Sequence, residues 1–425
     1  MKHRVVVTGM GVVSPNAYGL DEFETALRNG QSGIRFIPRL ADLNFACRIG
    51  GVPDNFEAVC ERRLTKKQRL HLSDNMAYAS VAALDAWEDA GLAIPETEPD
   101  WDSGVILGCG ISDTETIATT IVPAVTSGNV RRMGGRVVEK VMGSATSARV
   151  AGLLGLGNQV TSNSSACSTG TEALVEANWK IRHGLAKRMV VGGSEAPSPF
   201  TWGGFDSMKV LSRKFNDQPE KGSRPMSASA GGFVPGAGAG VLVLENLETA
   251  MARNARIYAE ILGGFVNCGG QRNGGTMTAP NHAGVLRCIR GAMDDAGITP
   301  AMVDAVSGHL TATFADPYEI RNWSAALGRG PENFPYVNAA KSMIGHCLGA
   351  AGAIESIAAI LELHKGFLHP SINCEDLHPE LIPYRDRIVR ECLEHPDIRI
   401  IAKASFGFGD VNSSVIIRKW GSDGG

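Results

Sequence analysis

Short apolar runs alternate along this chain with longer stretches in which apolar residues recur at helical spacing. The first series predicts strands over Arg4–Thr8, Ser103–Leu107, Met189–Gly192 and Gly240–Glu245. A second series predicts strands over Arg256–Leu262, Val303–Val306, Tyr336–Asn338 and Val411–Ile417, with helices around 283–296, 317–327 and 350–365. Alternation of this kind predicts an α/β fold. The two series look like similar cores, residues 1–255 and 256–425. Between them lies the glycine-rich segment Ala230–Gly240. It runs from loop into strand, whereas a dinucleotide loop needs strand, loop and helix, so a tight structural turn is expected.

Composition narrows the function classes. A chain of 425 residues with 44% apolar and 20% charged residues buries a large core, and 51 glycines suit tight turns and close backbone approaches. Lys and Arg number 41 against 44 Asp and Glu, a net charge of −3, so no general basic field points to nucleic acid. The nine cysteines form no C-x-x-C pair, which indicates neither a zinc site nor a disulfide framework; no metal and a reducing cytoplasm are expected. Met1–Gly11 reads as strand and turn rather than signal peptide, and no apolar run approaches the ~20 residues that span a bilayer.

Three segments carry candidate chemistry. In Asn163–Leu174, small and polar residues lead the chain into a helix with Cys167 at the bend. Ser168 and Thr169 are candidate caps, Glu172 lies in the first turn, and Ala173, Leu174, Ala177 and Ile181 keep helical spacing. Unpaired N–H groups and the positive end of the helix dipole then face the sulfur, favouring thiolate and a developing oxyanion. The competing reading is a small buried cysteine under a helix. Ser307–Thr313 follows a predicted strand, so His309 is expected at a strand end, with the Thr311 and Thr313 hydroxyls on one face; a hydrogen-bonded structural histidine is the alternative. In Ala339–Glu355, Lys341 and His346 precede a helix rich in Gly and Ala. A buried lysine needs a partner, which Glu355 can supply; a plain buried ion pair beside a capping histidine is the rival.

Taken in chain order, Cys167, His309, Lys341, His346, Glu355 and the late loop Ser405–Asn412 resemble the β-ketoacyl-(acyl carrier protein) synthases of thiolase fold. The resemblance includes the opening Val5–Pro15, the Ser165–Gly170 turn, Ala339–Gly352 and Leu368–Asn373, and so covers nearly the whole chain. A Cys-His-His set resembles the elongating type I and II synthases rather than those that start chains from a CoA ester. The resemblance implies two similar βαβ-containing halves forming a layered α-β-α-β-α core, 1–255 carrying the nucleophile and 256–425 the two histidines and the lysine. It implies that Cys167 accepts an acyl chain, with the N–H groups of Cys167 and Phe408 as oxyanion hole. His309 and His346 would then hydrogen-bond the thioester oxygen of malonyl-carrier as CO2 leaves, and the enolate would attack to give a product two carbons longer. Lys341 and Glu355 would orient the histidines, Thr311 and Thr313 would hold the pantetheine arm, and Phe408 would gate. No cofactor is implied beyond the phosphopantetheine of the acyl carrier protein.

Departures from the family pattern cluster in the loops. Leu310 replaces a glycine, and Thr313–Asp316 is one residue shorter than the usual Thr-Pro-x-Gly-Asp. Gly407–Asn412 carries Asp410 where the pattern has glycine, and Ser227 and Ala230 replace an Asp/Arg pair. Joint loss of both charges reads as repacking and points to an unusual acyl substrate, as in a specialised polyketide or polyene pathway. Acyl carrier proteins are acidic, and the run Arg62–Arg69 is basic, so docking is expected at Lys66, Lys67 and Arg69, with Arg131 and Arg132 adding to it. The family implies a homodimer. Two rivals remain: a non-catalytic, chain-length-type subunit of a ketosynthase heterodimer, which would lack the nucleophile, and a CoA-dependent thiolase-like enzyme, which would need a second cysteine in the late loop.

Overall fold

Ten strands follow one another across a single sheet that holds eleven in all. The structure, a computed structural model, describes residues 3–422. The first series supplies β1 (Val5–Ser14), β2 (Ser103–Gly108), β3 (Val160–Thr161), β4 (Arg188–Glu195) and β5 (Gly238–Asn246). The second supplies β6 (Ala259–Cys268), β7 (Ala305–Ser307), β8 (Tyr336–Asn338), β9 (Ile400–Gly407) and β10 (Val411–Lys419). Their order is β3-β2-β4-β5-β1-β6-β10-β9-β7-β8, with Ala17–Tyr18 paired to β1 off this line. Read outward from the centre, both wings place their first, fifth, fourth, second and third strands in turn. In each, the fifth strand is antiparallel to its neighbours and the outer three are parallel. The wings meet where Val5, Val6 and Val7 pair with Ile261, Glu260 and Ala259.

Six helices complete the layers: α1 (Asp74–Asp89), α2 (Ala145–Leu154), α3 (Thr169–Arg182), α4 (His282–Ala296), α5 (Asp316–Leu327) and α6 (Ala351–Lys365). α1 and α2 cover the outer face of the first wing, α4 and α5 that of the second, and α3 with α6 contact strands of both. The result is the expected α-β-α-β-α stack. The largest apolar cluster is the middle layer, where Val175 and Ile181 of α3 meet Ile354, Ile357 and Leu361 of α6 between Val191 and Val415. A helix buried on all sides, as α6 is from Ala351 to Leu363, cannot be amphipathic, which is why its sequence is nearly all small and aliphatic. Its first turn also approaches α3 backbone to backbone. A Cβ on Gly170 would lie 2.5 Å from Ala353 N, and one on Gly352 would lie 2.6 Å from Thr171 N.

Predicted elements recur with shifted ends. The strand expected from Arg256 starts at Ala259, because Arg256 turns outward to Asp89 while Tyr258 packs into the core. Ala230–Gly240 is loop and then the start of β5, with no helix after it, which removes the phosphate-loop geometry. The strands β3 and β9 were not foreseen, β9 because Lys403 interrupts its apolar run. Among the described residues, no helix is long and apolar enough to cross a membrane.

Near the end of α6, Glu362 Oε1 accepts from Asn338 Nδ2 at 2.6 Å and from His369 N at 2.9 Å, tying α6 to β8. Burial pushes this carboxyl up to about 8, so the folded chain keeps a proton that the unfolded chain releases in the ordinary carboxylate range. A carboxyl raised in this way stabilises fully below that range, and the contribution is lost as pH rises through about 8. Glu362→Gln, which keeps the acceptor and has no proton to lose, is expected to show a smaller fall in melting temperature than the unmodified protein between about pH 6 and about pH 9 in calorimetry. An unchanged pH profile would remove Glu362 from this account.

Candidate active site

The turn before α3 is strained. Ala166 has φ 49°, a left-handed conformation rarely adopted by a residue with a Cβ, and it sets the sulfur of Cys167 off the regular path of the helix. Local hydrogen bonds hold it there: Ser165 N donates to Thr169 Oγ1 at 2.9 Å, and that hydroxyl donates to Ala166 O at 2.8 Å. Ser168 occupies the cap position but makes no cap bond. Its hydroxyl instead crosses to Ser405 O at 3.1 Å and Val411 O at 3.2 Å on the second wing. The expectation that Ser168 caps the helix is therefore corrected; the hydroxyl joins the wings.

His309 arrives on the loop after β7. Glu319 of α5 accepts His309 N at 2.6 Å and Leu310 N at 2.7 Å, and Asp316 accepts Thr311 N at 2.8 Å and Ala312 N at 3.1 Å. This clasp produces a turn rather than the expected continuing alternation: Ala312 has φ 63°. The Thr311 and Thr313 hydroxyls nevertheless meet, 3.0 Å apart. Leu310 is fully buried in the outer core with Met226 and Ile320. His346 follows the short helix Lys341–Ile344 through Gly345, whose φ of 69° turns the chain sharply. Its Nδ1 accepts Leu348 N at 3.2 Å, and its ring meets that of Phe233 edge-on at 5.3 Å.

These loops converge on the sulfur. Cys167 Sγ and a ring nitrogen from each of His309 and His346 all lie within 4.8 Å of one another, and the two rings sit 5.3 Å apart at 84°. Lys341 Nζ stands 3.5 Å from His309 Nδ1 and makes a close ion pair with Glu355 Oε1. The backbone N–H groups of Phe408 and Cys167 lie close enough to the sulfur to favour its thiolate. A Cβ on the neighbouring Gly407 would lie 3.1 Å from Cys167 N and 2.9 Å from Ser165 O. The Phe408 ring packs 6.0 Å from that of Phe205, which in turn meets Phe233 at 5.4 Å. One thiol and two imidazoles are also donors that a zinc ion accepts, and among the described residues they are the only such trio.

Electrostatics follow from enclosure. Burial, then the Lys341 ammonium, hold both imidazoles well below their usual value, so they are neutral at physiological pH. Burial pushes the Cys167 thiol up to about 11, against the pull of Lys341 and of the Phe408 and Cys167 N–H groups. The expected preference for thiolate is thus overturned: N–H groups act in the foreseen direction and Lys341, which was not foreseen, adds to them, but desolvation outweighs both. Burial also raises the carboxyls of Glu319 and Glu195 to about 7 and Asp316 to about 6, despite several N–H donors to each.

The loops that depart from the family pattern are tied by an ion pair. Arg224, buried over the Phe215 ring, reaches Glu375 at 2.7 Å and Asp376 at 2.9 Å, and Asp376 also takes the Ser227 hydroxyl and Ser229 N, so the uncharged Ser227 is held within that pair. Asp410, at φ 63°, accepts Gln271 N at 2.9 Å and Asn281 N at 2.7 Å, fastening the Phe408 loop to the segment 269–281. A Cβ on Gly269 or Gly275 would collide with its carboxylate at 2.2 or 2.6 Å.

Lys66, Lys67 and Arg69 sit on a separate surface helix, Lys66–Arg69, started by a Thr65–Gln68 capping box. Arg69 is committed to Glu61 at 2.8 Å and Glu57 at 3.3 Å, which weakens it as a docking cation. Sequence reasoning missed Lys403, Glu319 and Glu195. A lysine inside the run Ile400-Ile-Ala-Lys-Ala was a visible signal for the first, whereas Glu319 resembles any acid in a first turn and Glu195 any acid at a strand end.

Comparisons with known proteins agree along the whole length. Residues 2–250 match the family model described as beta-ketoacyl synthase, N-terminal domain, and residues 258–375 the corresponding C-terminal domain. The chain is 37% identical to 3-oxoacyl-[acyl-carrier-protein] synthase I, chloroplastic, of Arabidopsis thaliana, over 97% of this chain and 86% of that one. It is 36% identical to 3-oxoacyl-[acyl-carrier-protein] synthase 2 of Vibrio cholerae, over 98% and 99%. Among solved structures, a beta-ketoacyl synthase from Burkholderia phymatum superposes with a TM-score of 0.89 at 30% identity, covering 99% of this chain and 100% of that one. The ishigamide ketosynthase/chain length factor gives 0.87 at 30% with the same coverage, and a type II PKS ketosynthase in complex with its acyl-carrier protein gives 0.85 at 30%, covering 98% and 99%. With both domain models matched and its relatives aligned nearly end to end, this chain belongs to the β-ketoacyl synthase family.

Proposed function

We propose that this chain carries out decarboxylative Claisen condensation, joining a Cys167-bound acyl group to malonyl-carrier and extending it by two carbons. The observation that carries this reading is the meeting of one thiol and two neutral imidazoles within 4.8 Å. The halves 1–255 and 256–425 divide the work, the first presenting the sulfur and the second the imidazoles and Lys341.

Acyl transfer comes first. The Cys167 sulfur attacks the carrier thioester, the carrier C–S bond breaks, and the thiol proton leaves with the carrier thiol. Phe408 and Cys167 N–H groups stabilise the oxyanion between these events. In the second step CO2 departs from malonyl-carrier and its electron pair becomes an enolate. His346 Nδ1 is occupied by the Leu348 N–H, and His309 Nδ1 faces the Lys341 ammonium, so each ring keeps its proton on Nε2 and offers it to the enolate oxygen. The enolate carbon then attacks the acyl carbonyl, the Cys167 C–S bond breaks, and the released sulfur takes a proton from water. Thr311 and Thr313 hydroxyls suit the amides of the pantetheine arm, and Phe408 suits a gate, its ring lying in the aromatic row with Phe205 and Phe233. Every step uses groups of this chain and the two thioesters, with no further cofactor.

The carrier is an acidic acyl carrier protein, met by Lys66 and Lys67 more than by the already paired Arg69. A second copy, or a related subunit, covers the exposed apolar residues Val122, Val125, Val130 and Val138 and the edge strand β3. The presence of Cys167 disfavours a purely chain-length-setting subunit, and Phe408–Asp410 offers no second thiol for a thiolase.

Intact-mass measurement after incubation with acyl-carrier is expected to show one acyl adduct, lost in Cys167→Ser; an equally acylated variant would remove Cys167 from the reaction. Because the thiol is raised, iodoacetamide labelling of Cys167, followed by peptide mapping, is expected to climb about tenfold per pH unit from about pH 7 to about pH 9, whereas a plateau in that range would mean a lowered thiol. Lys66→Glu with Lys67→Glu is expected to raise KM for carrier-bound substrate roughly tenfold at low salt and less at high salt, with kcat held. An unchanged KM at low salt would move the docking surface elsewhere.

A further inference from the structure

Lys403 is 0% exposed, in the middle of β9, and is among the largest fully buried side chains of the protein. An ammonium so placed needs a partner. It finds Glu355 Oε2 at 2.8 Å, on the side of the carboxylate away from the Oε1 atom held by Lys341, and it donates to Ala404 O and to Ser405 Oγ at 3.2 Å. Ser405 Oγ meets Thr171 Oγ1 at 2.9 Å in the first turn of α3, and Ser405 O accepts the Ser168 hydroxyl next to Cys167. One carboxylate therefore lies between two ammonium groups, and the second of these joins α6, β9 and the helix of the nucleophile.

We propose that Lys403 is a positioning residue for the condensation: it fixes Glu355 from behind, so that Lys341 stays against His309, and it links this pair to the nucleophile helix through Ser405 and Thr171. The inference rests on the condensation reading above. Glu355 Oε2 makes no hydrogen bond and is held by the Lys403 ion pair, so without Lys403 this buried oxygen would be free to turn and draw Lys341 from the imidazole. Two cations to one anion also leave an excess of positive charge beneath the rings. That charge opposes imidazolium and favours the enolate, and the Lys403 ammonium adds to burial and Lys341 in holding both histidines low.

The test compares the unmodified enzyme with Lys403→Met and Lys403→Arg, following Cys167 acylation by mass and condensation by product formation. For Lys403→Met, kcat for condensation is expected to fall about tenfold or more, with KM for malonyl-carrier changing less than about threefold. The acidic limb of its kcat profile should move to higher pH, because imidazolium forms more readily once the charge is gone, and Lys403→Arg should return the limb toward its original place. An unmoved limb and kcat would overturn the proposal, as would acylation and condensation falling together with the melting temperature, the signature of a residue that only holds the fold. If the methionine variant does not fold, Ser405→Ala keeps the charge and cuts the link to Thr171. It is expected to lower kcat about threefold with the limb in place, and unmodified kcat would overturn the link. Absence of condensation by the unmodified enzyme overturns the reaction itself and this role with it, whereas an active enzyme with an unaffected Lys403→Met overturns only the role.

Discussion

Two helices that touch backbone to backbone in the centre of the molecule set the positions of everything else. Gly170 faces Ala353 and Gly352 faces Thr171, so the first turns of α3 and α6 approach more closely than side chains would allow. The turn bearing Cys167 precedes one of these helices, and the segment bearing Lys341 and His346 precedes the other. Helix starts pressed together in this way bring together whatever their preceding loops carry. The equivalent order of strands in the two wings then supports the contact from both sides.

Enclosure gives the site its electrical character. A middle layer of aliphatic residues keeps water from the ionisable groups, and desolvation is the largest effect at each of them, opposing Lys341 at Cys167 and adding to Lys341 at both imidazoles. Imidazoles remain neutral, carboxyls keep protons toward neutrality, and the thiol holds its hydrogen. Within this enclosure Glu355 lies between the amino groups of Lys341 and Lys403, in contact with both. The site is thus arranged for donating hydrogen bonds to a charge that appears during reaction more than for storing one beforehand.

Local pattern made much of this legible. The alternation of apolar runs foretold the α/β organisation, and the small-residue turn, the strand-end histidine and the Gly/Ala-rich helix each marked a segment that the fold brings to one place. What escaped depended on distance. Whether a helix dipole or desolvation governs Cys167 is decided by how completely other elements cover the sulfur, which no window of sequence records. Ser168 is a natural cap by sequence because unpaired N–H donors follow it, yet its hydroxyl donates to acceptors on β9 and β10. Glu319 and Asp316 clasp the His309 loop through backbone N–H groups, a use of carboxylates that leaves no residue-type signature. Arg69 seemed a free cation until folding set Glu57 and Glu61 beside it.

Asp410 turns two segments into one mechanical unit. Its carboxylate grips two amides of the segment 269–281 from a left-handed backbone position. Displacing the Phe408 loop therefore breaks both bonds or carries that segment with it, a coupling that a glycine here, having no carboxylate, would not provide.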